Sequence, residues 1–519
     1  MYPAPNLCIK PSCIRDYLTR PKLCKLLLNI RPIRLWINGV LMKQLIKSAA
    51  VVLTGLLVSC AFEPGFPAQT GPGVQIETSV NEYLSRKDVL ALSHLQTEHV
   101  VGEEKLKTLV LDFIGGGNTP GRSAVSPGPV ITGLTKLEGK GFGSPGNNAR
   151  MSLGNPDPAE IPFYVFTIEN REEGTLGFAL TCGDDRIGNV LAVVEKGVYD
   201  DMENPFLPIF YSYLDQYIGN TIDIYNSITE EDINAALAKS GSSPAPVTRS
   251  VLPIIDDMFF YDIESVKDMG IPLLKTYWGQ GYPYNALVSS ALGGSYPTGC
   301  VATAMAQIMA YHKFPNNWYN NGVPLARYNW DAMISGRADN GVATLMVEIG
   351  QRVQMGYSPN GSNTDADNIA GAFVNMGYIS SSFMSFNPAH IMTSINSGCP
   401  VLINGYDTKT VTLSFLGIPI KTKYTGHTWI IDGFRSRYLV VNKTIVNLQN
   451  PMQYVHCNLG WDGYCDGWYL GDVFYAAPGM IPEPDPPVQQ RSQTPNNYQY
   501  KLEIMPYVYP NPALQNMGY

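Results

Sequence analysis

The sequence predicts an α+β protein made of two folded units, and three observations carry that expectation. Hydrophobic residues make up 45% of the chain and charged residues 15%, enough apolar matter for packed cores. The 49 Gly, 39 Pro and 31 Tyr favour many turns and a sheet-rich fold over helical bundles. The 519 residues exceed one ordinary core, and Ala238 to Val251, poor in residues that anchor a core, reads as an exposed linker between two units.

Residues 1–41 carry Lys10, Arg15, Arg20, Lys22, Lys25, Arg31 and Arg34 against a single acid, Asp16. They read as a mis-called start or a basic leader and are set apart from the fold. From Met42 the chain has a short basic start and then an apolar run, Ser48 to Ser59, too short to span a bilayer comfortably. Leu57-Val58-Ser59-Cys60 resembles a bacterial lipobox, so residues 42–60 are expected to be a lipoprotein-type export signal with Cys60 as the lipidated residue. A plain signal peptide ending near a Cys is the alternative. The Pro- and Gly-rich stretch 61–77 follows as a tether.

Within residues 78–237, Val80 to Leu95 has helical spacing, and Phe206 to Ile218 is an apolar, aromatic helix. Phe163 to Ile168, Gly177 to Thr181 and Val190 to Val194 read as strands, the last two separated by a turn at Gly183 to Arg186. This is a small α+β unit. The linker is taken as 238–252, a place where proteolytic nicking concentrates.

The net charge is −8 with a sequence pI near 5.4 and no basic stripe, which argues against a nucleic-acid partner. Nine Cys are present, and outside the leader none forms a C-x-x-C pair. No metal and no cofactor are therefore expected. Cys457 and Cys465 flank a turn, and spacing alone leaves open whether they are bonded.

In the second unit, Pro297 and Gly299 break regular structure immediately before Cys300. About thirteen residues free of Gly and Pro then follow, closed by Pro315. Val301, Ala304, Met305 and Ile308 share one helical face. Cys300 is thus expected at the amino-terminal end of a buried helix, where free N–H groups and the dipole favour a thiolate. A buried Cys acting as a small hydrophobe is the competing reading.

A thiol nucleophile needs a base, and the chain has six His. His94 and His99 precede the linker. His312 lies twelve residues along the Cys300 helix, about 18 Å away. His390 follows Asn387-Pro388 as a helix-entry residue. His427 stands after Gly426 at the start of a buried strand, Trp429 to Ile431, that Asp432-Gly433 is expected to turn into the next one. It is the first choice, with His456 second and a satisfied core His as the bland alternative. Asn458, ending a later strand, can supply a carbonyl oxygen to the imidazole, with Trp461 as a shield. Cys, His and Asn occur in the papain-like order. Gln280, in a turn-rich stretch upstream, can join the Cys300 N–H as an oxyanion donor, a surface amide being the alternative.

Four separated motifs coincide with one family. Trp278-Gly279-Gln280 with Pro283-Tyr284-Asn285, Thr298 to Ala304 with Tyr311-His312, Gly426-His427 with Ile431-Asp432-Gly433, and Asn458 with Gly460-Trp461 resemble the streptopain-type, papain-like bacterial cysteine peptidases over roughly Leu252 to Tyr507. The resemblance implies a papain-like catalytic domain at 253–507, with a helix-rich half carrying Cys300, an antiparallel sheet half carrying His427, and a tail at 508–519. It implies a Cys300–His427 thiolate–imidazolium pair supported by Gln280, Asn458 and Trp461. More loosely, the first unit resembles the family's inhibitory prodomain, with 238–252 as activation linker. Together with the lipobox, the resemblance leads to the expectation of a cysteine endopeptidase made as a zymogen, exported, and lipid-anchored to the bacterial cell envelope (outer membrane or surface) or released after processing. Its implied partners are protein or peptide substrates, its own prodomain and the membrane at its anchor. Leu459 stands where the family usually has Trp, and Thr408 to Tyr424 and Asn442 to Gln453 read as insertions. These departures keep a second reading open, a catalytically degenerate surface lipoprotein that binds peptides or host proteins.

Overall fold

The structure is a computed structural model. It describes residues 83–96, 98–115, 129–137, 161–171, 174–201, 204, 206–240, 258–262, 272–320, 323–336, 341–406, 412–415, 418–421, 426–441, 444–446, 448–449, 452–475 and 501–516. The leader, the export signal with Cys60, the tether and linker residues 241–252 lie outside the described residues.

The first unit opens with α1 (Arg86–Ser93) and α2 (Glu103–Gly115). Ser85 and Asp88 close a reciprocal capping box on α1, which satisfies two otherwise orphan N–H groups. An antiparallel meander follows: β1 (Val130–Leu137), β2 (Phe163–Asn170), β3 (Thr175–Cys182) and β4 (Val190–Val194). Helices α3 (Phe206–Ser227) and α4 (Glu230–Lys239) complete the unit. The expected strands and the Phe206 helix are all present, the helix running nine residues further than its most apolar part.

The second unit starts with β5 (Met258–Asp262), α5 (Ala286–Leu292) and α6 (Cys300–His312). Next come β6 (Asn317–Asn320), β7 (Val323–Arg327), α7 (Trp330–Ile334), α8 (Gly341–Arg352) and α9 (Asp367–Asn375). Strands β8 (Tyr378–Ile379) and β9 (Met384–Ser385) precede α10 (Pro388–Asn396), which Asn387 caps. The sheet half holds β10 (Val401–Tyr406), the hairpin β11 (Thr412–Phe415) and β12 (Ile418–Lys421), β13 (His427–Val441), β14 (Thr444–Val446), β15 (Met452–Asn458) and β16 (Gly467–Leu470). It closes with α11 (Gly471–Phe474) and β17 (Lys501–Met505). The stretch expected as a tail carries β18 (Tyr509–Pro510), paired with β8, and α12 (Pro512–Asn516).

The α+β architecture agrees with the sequence, including a helical half that carries Cys300 and an antiparallel half that carries His427. Two features differ from expectation. The Asp432-Gly433 pair is not a hairpin turn. β13 continues through it to Val441, and the register against β15 shifts between Ile431 and Gly433, a bulge that absorbs the extra residue. The two units also share one sheet, in the order β1-β2-β3-β4-β16-β15-β13-β10-β17-β9. The junction is the antiparallel pairing of β4 with β16, Gly467 opposite Val194 and Trp468 opposite Val193. One apolar core runs across it and unites Phe178, Leu191 and Phe206 with Trp429, Val455 and Tyr469. A second core lies between α6, α8, α9 and the inner face of β10 and β13.

Candidate active site

Gly299 precedes α6 with φ 92° and ψ 140°, a conformation open to Gly and closed to most L side chains. It turns the chain so that Cys300 becomes the first helical residue. The following turns are buried almost completely, Ala302, Met305, Ala306 and Ile308 at 0–2% exposure. The small Ala residues let α6 press against the sheet, which fixes the helix start relative to β13.

The partly buried Cys300 sulfur rests against the backbone N–H and hydroxyl of Thr428, and against the N–H groups of Val301 and of Cys300 itself. Those donors favour the thiolate, as the helix start predicts. Burial is the larger influence, and the thiol stays above its ordinary value. The expectation of a lowered thiol pKa therefore does not hold in this form of the chain, because desolvation outweighs the amide donors.

His427 is the first residue of β13 and pairs with Gly405 of β10. Its Nε2 lies 3.1 Å from the Leu459 carbonyl oxygen. A carbonyl only accepts, so Nε2 carries the proton and Nδ1 keeps its lone pair. The ring stacks on Trp429, centroids 5.9 Å apart at 12°, and faces Trp461 at 6.1 Å. Burial between these rings pushes the imidazole down to about 4, the Leu459 contact opposing that only in part. With the thiol held high and the imidazole held low, both groups are neutral near pH 7.

Asn458 is buried, but its amide is engaged elsewhere. Its Oδ1 accepts from Gln307 Nε2 at 2.8 Å and from the Gly460 N–H at 3.3 Å, while its Nδ2 donates to the Thr276 carbonyl at 2.9 Å. The oxygen on the imidazole belongs to the next residue, Leu459, and comes from its backbone. Gln307 completes the joint: its Oε1 accepts from the Thr276 hydroxyl at 2.9 Å and the Trp278 N–H at 3.1 Å. Gln280 is buried in the same loop, and its carbonyl accepts from the Thr298 N–H at 3.0 Å, two residues before Cys300. His456, the second candidate base, is engaged elsewhere, its Nδ1 lying 2.6 Å from Asp432 Oδ1. Burial lowers its pKa, but the charge and hydrogen bond of Asp432 together with the charges of Glu195 and Asp466 outweigh that and leave it raised.

Sequence reasoning passed over Gln307, Thr428 and the Leu459 carbonyl. Gln307 had a readable signal. It lies seven residues past Cys300 on the same helical face, a lone amide among Ala, Met and Ile, and a buried amide must be satisfied. Cys457 and Cys465 are free thiols, both buried. Among the described residues no group of His, Cys, Asp and Glu is arranged to hold a metal.

Comparison with known proteins finds several similar chains. Residues 278–469 match the Peptidase C10 family. Streptopain of Streptococcus pyogenes is 25% identical over 357 residues, 60% of this chain and 74% of the relative. The thiol protease/hemagglutinin PrtT of Porphyromonas gingivalis is 28% identical over 228 residues, 40% of this chain and 24% of that protein. The solved structure of a prointerpain A fragment from Prevotella intermedia is 22% identical and covers 67% of this chain and 96% of its own, with a TM-score of 0.41. Residues 278–469, which hold the Cys300 helix, the His427 strand and the Leu459 loop, thus match the Peptidase C10 family, and over them the chain is similar to streptopain.

Proposed function

We propose that this chain is the zymogen of an exported cysteine endopeptidase, with Cys300 as nucleophile and His427 as base. One observation carries the reading. The Cys300 sulfur sits on the amide of the residue that follows His427, while the Leu459 carbonyl occupies Nε2 and leaves Nδ1 as the free base. In the reaction Nδ1 takes the thiol proton and the sulfur attacks the peptide carbonyl. The imidazolium then protonates the leaving amine, and water hydrolyses the thioester. The Cys300 N–H and the Gln280 amide stabilise the oxyanion, Trp461 shields the imidazole, and Asn458 holds the loop that carries Leu459. The neutral thiol and imidazole of the uncut chain fit a silent precursor, with the first unit as prodomain and 238–252 as the segment to be cut. Cys60 is the proposed site of lipid attachment to the cell envelope.

The test uses full-length chain cut in the linker. An epoxide thiol reagent should label Cys300 and stop casein hydrolysis, and Cys300→Ala should abolish both. Casein cleavage that survives in Cys300→Ala, or label on another Cys with loss of activity, overturns the assignment. Mass analysis of the exported form should find Cys60 as a lipidated first residue, and an unmodified Cys60 inside a longer chain removes the anchor.

A further inference from the structure

Behind the Leu459 loop lies a carboxylate that the chemistry above does not use. Asp466, just before β16, is 2% exposed. Its Oδ1 accepts the Leu459 N–H at 2.7 Å, and its Oδ2 is buried without a hydrogen-bond partner. The same Leu459 presents its carbonyl to His427 Nε2 at 3.1 Å. A buried carboxylate with a free oxygen is costly to keep, and the one bond it makes is to the residue that orients the imidazole. We propose that Asp466 is a positioning residue of this peptidase: by gripping the Leu459 N–H it aims the Leu459 carbonyl at Nε2 and so fixes the tautomer of His427. This rests on the reading of His427 as the base.

The surroundings make the grip proton-sensitive. The charged and titratable groups facing Asp466 are His456 on β15, Asp432 on β13, Glu195 from the first unit, and the side chains of Cys457, Cys465 and Tyr469. Burial pushes Asp466 up to about 7, with Asp432 and Glu195 adding to the rise and the Leu459 N–H and His456 opposing it. Above that pH the carboxylate accepts a charge-assisted bond from Leu459. Below it the acid is neutral and the bond weakens.

The decisive measurement is nuclear magnetic resonance of the His427 ring in full-length Cys300→Ser protein, assigned by the signal missing from Cys300→Ser/His427→Gln. The Nε2–H resonance should be present, and its shift should move with pH in step with the Asp466 carboxyl carbon. In Cys300→Ser/Asp466→Asn that movement should vanish. In linker-cut chain retaining Cys300, Asp466→Asn should lower kcat at least about tenfold, out of the roughly 10²–10⁴-fold that a placed general base supplies, with KM within about twofold. An Nε2–H shift that ignores the Asp466 titration, or Asp466→Asn kinetics equal to the parent, overturns the proposal. Should Asp466→Asn fail to fold, the titration of the Cys300→Ser protein decides alone: linked midpoints support the proposal and a flat ring signal overturns it. A parent chain that hydrolyses nothing refutes the peptidase reading instead, and the ring signal still judges Asp466.

Discussion

A Cβ placed on Gly299 would meet Met355 Cε at 2.8 Å and the Ser362 carbonyl oxygen at 3.1 Å, at a backbone φ of 92°. Two costs therefore add at one position, the backbone conformation and the crowding. Gly299→Ala should lower stability by about 1–3 kcal/mol and slow epoxide labelling of Cys300, because relief of the strain moves the helix start. Labelling at the parent rate with an unchanged melting temperature would show that the turn tolerates a side chain. His427 makes a different residue-scale prediction. Its folded value of about 4 lies below the ordinary imidazole value of 6.5, so the folded state favours the neutral ring. Its contribution to stability is present above pH 6.5 and is lost as pH falls through 4, up to about 3 kcal/mol for a shift of this size. His312, half-buried and lowered to about 4 by desolvation, acts in the same direction. Denaturant unfolding of Cys300→Ala and of Cys300→Ala/His427→Gln at pH 7 and pH 4 isolates the His427 share. The second protein should lose less stability on acidification, and equal losses would mean that His427 titrates at its ordinary value.

At the scale of elements, the joint between α6, the loop at 276–278 and the end of β15 is a closed set of amide bonds centred on Gln307 and Asn458. Removing either amide leaves buried donors and acceptors unpaired, at about 1–3 kcal/mol for each orphaned group. Asn458→Ala should therefore reduce the melting temperature strongly while kcat, measured where the variant is still folded, falls only a few-fold. Gln307→Leu should behave alike. A fall in kcat of about 10⁴-fold at unchanged stability, the loss seen when an orienter of a catalytic His is changed, would instead place Asn458 on the imidazole. The same elements show what could be read from sequence. The placement of Cys300 at a helix start and of His427 at a buried strand start was legible because each context has a local signature. The Leu459 carbonyl was not, since every residue owns one and only the fold aims it. β2, β3 and β4 announced themselves by apolar runs, whereas β1, whose Thr132, Leu134, Thr135 and Lys136 face solvent, carried no such run. Asp432-Gly433 has the composition of a tight turn. In the fold Asp432 is instead consumed by His456 Nδ1, the Leu274 N–H at 3.1 Å and, through its carbonyl, the Leu273 N–H at 2.9 Å, so the strand bulges and runs on.

The large sheet is built by two stretches of chain, one on either side of residues 241–252, and the behaviour of the proposed zymogen on cutting there depends on the β4–β16 seam. Besides the ladder, the Cys465 N–H donates to the Lys196 carbonyl at 2.7 Å and the Glu195 N–H to the Asp466 carbonyl at 3.3 Å. Phe206 of α3 packs edge-on against Trp429 and Tyr469, centroids 5.2 and 4.9 Å away. Trp429 in turn stacks on His427, so the first unit leans on one wall of the imidazole through a single intervening ring. Burial of this kind does not depend on covalent continuity. Chain cut within 241–252 in a Cys300→Ala background should elute as one particle at micromolar concentration and separate only in denaturant. Gly467 offers a way to weaken the seam selectively. A Cβ there would strike the Val193 carbonyl and lie 2.8 Å from Val194 Cα; its three nearest atoms all belong to β4, so the sharpest clash falls on the first unit. Gly467→Ala should weaken the attachment by about 1–3 kcal/mol, the usual cost of overpacking, equivalent to roughly 5- to 150-fold in affinity. With Cys300 intact, the uncut Gly467→Ala chain should leak peptidase activity while the separated second unit works at the parent rate. Halves that part freely on cutting, or a Gly467→Ala complex as tight as the parent, would mean that the shared sheet is not what keeps the precursor together.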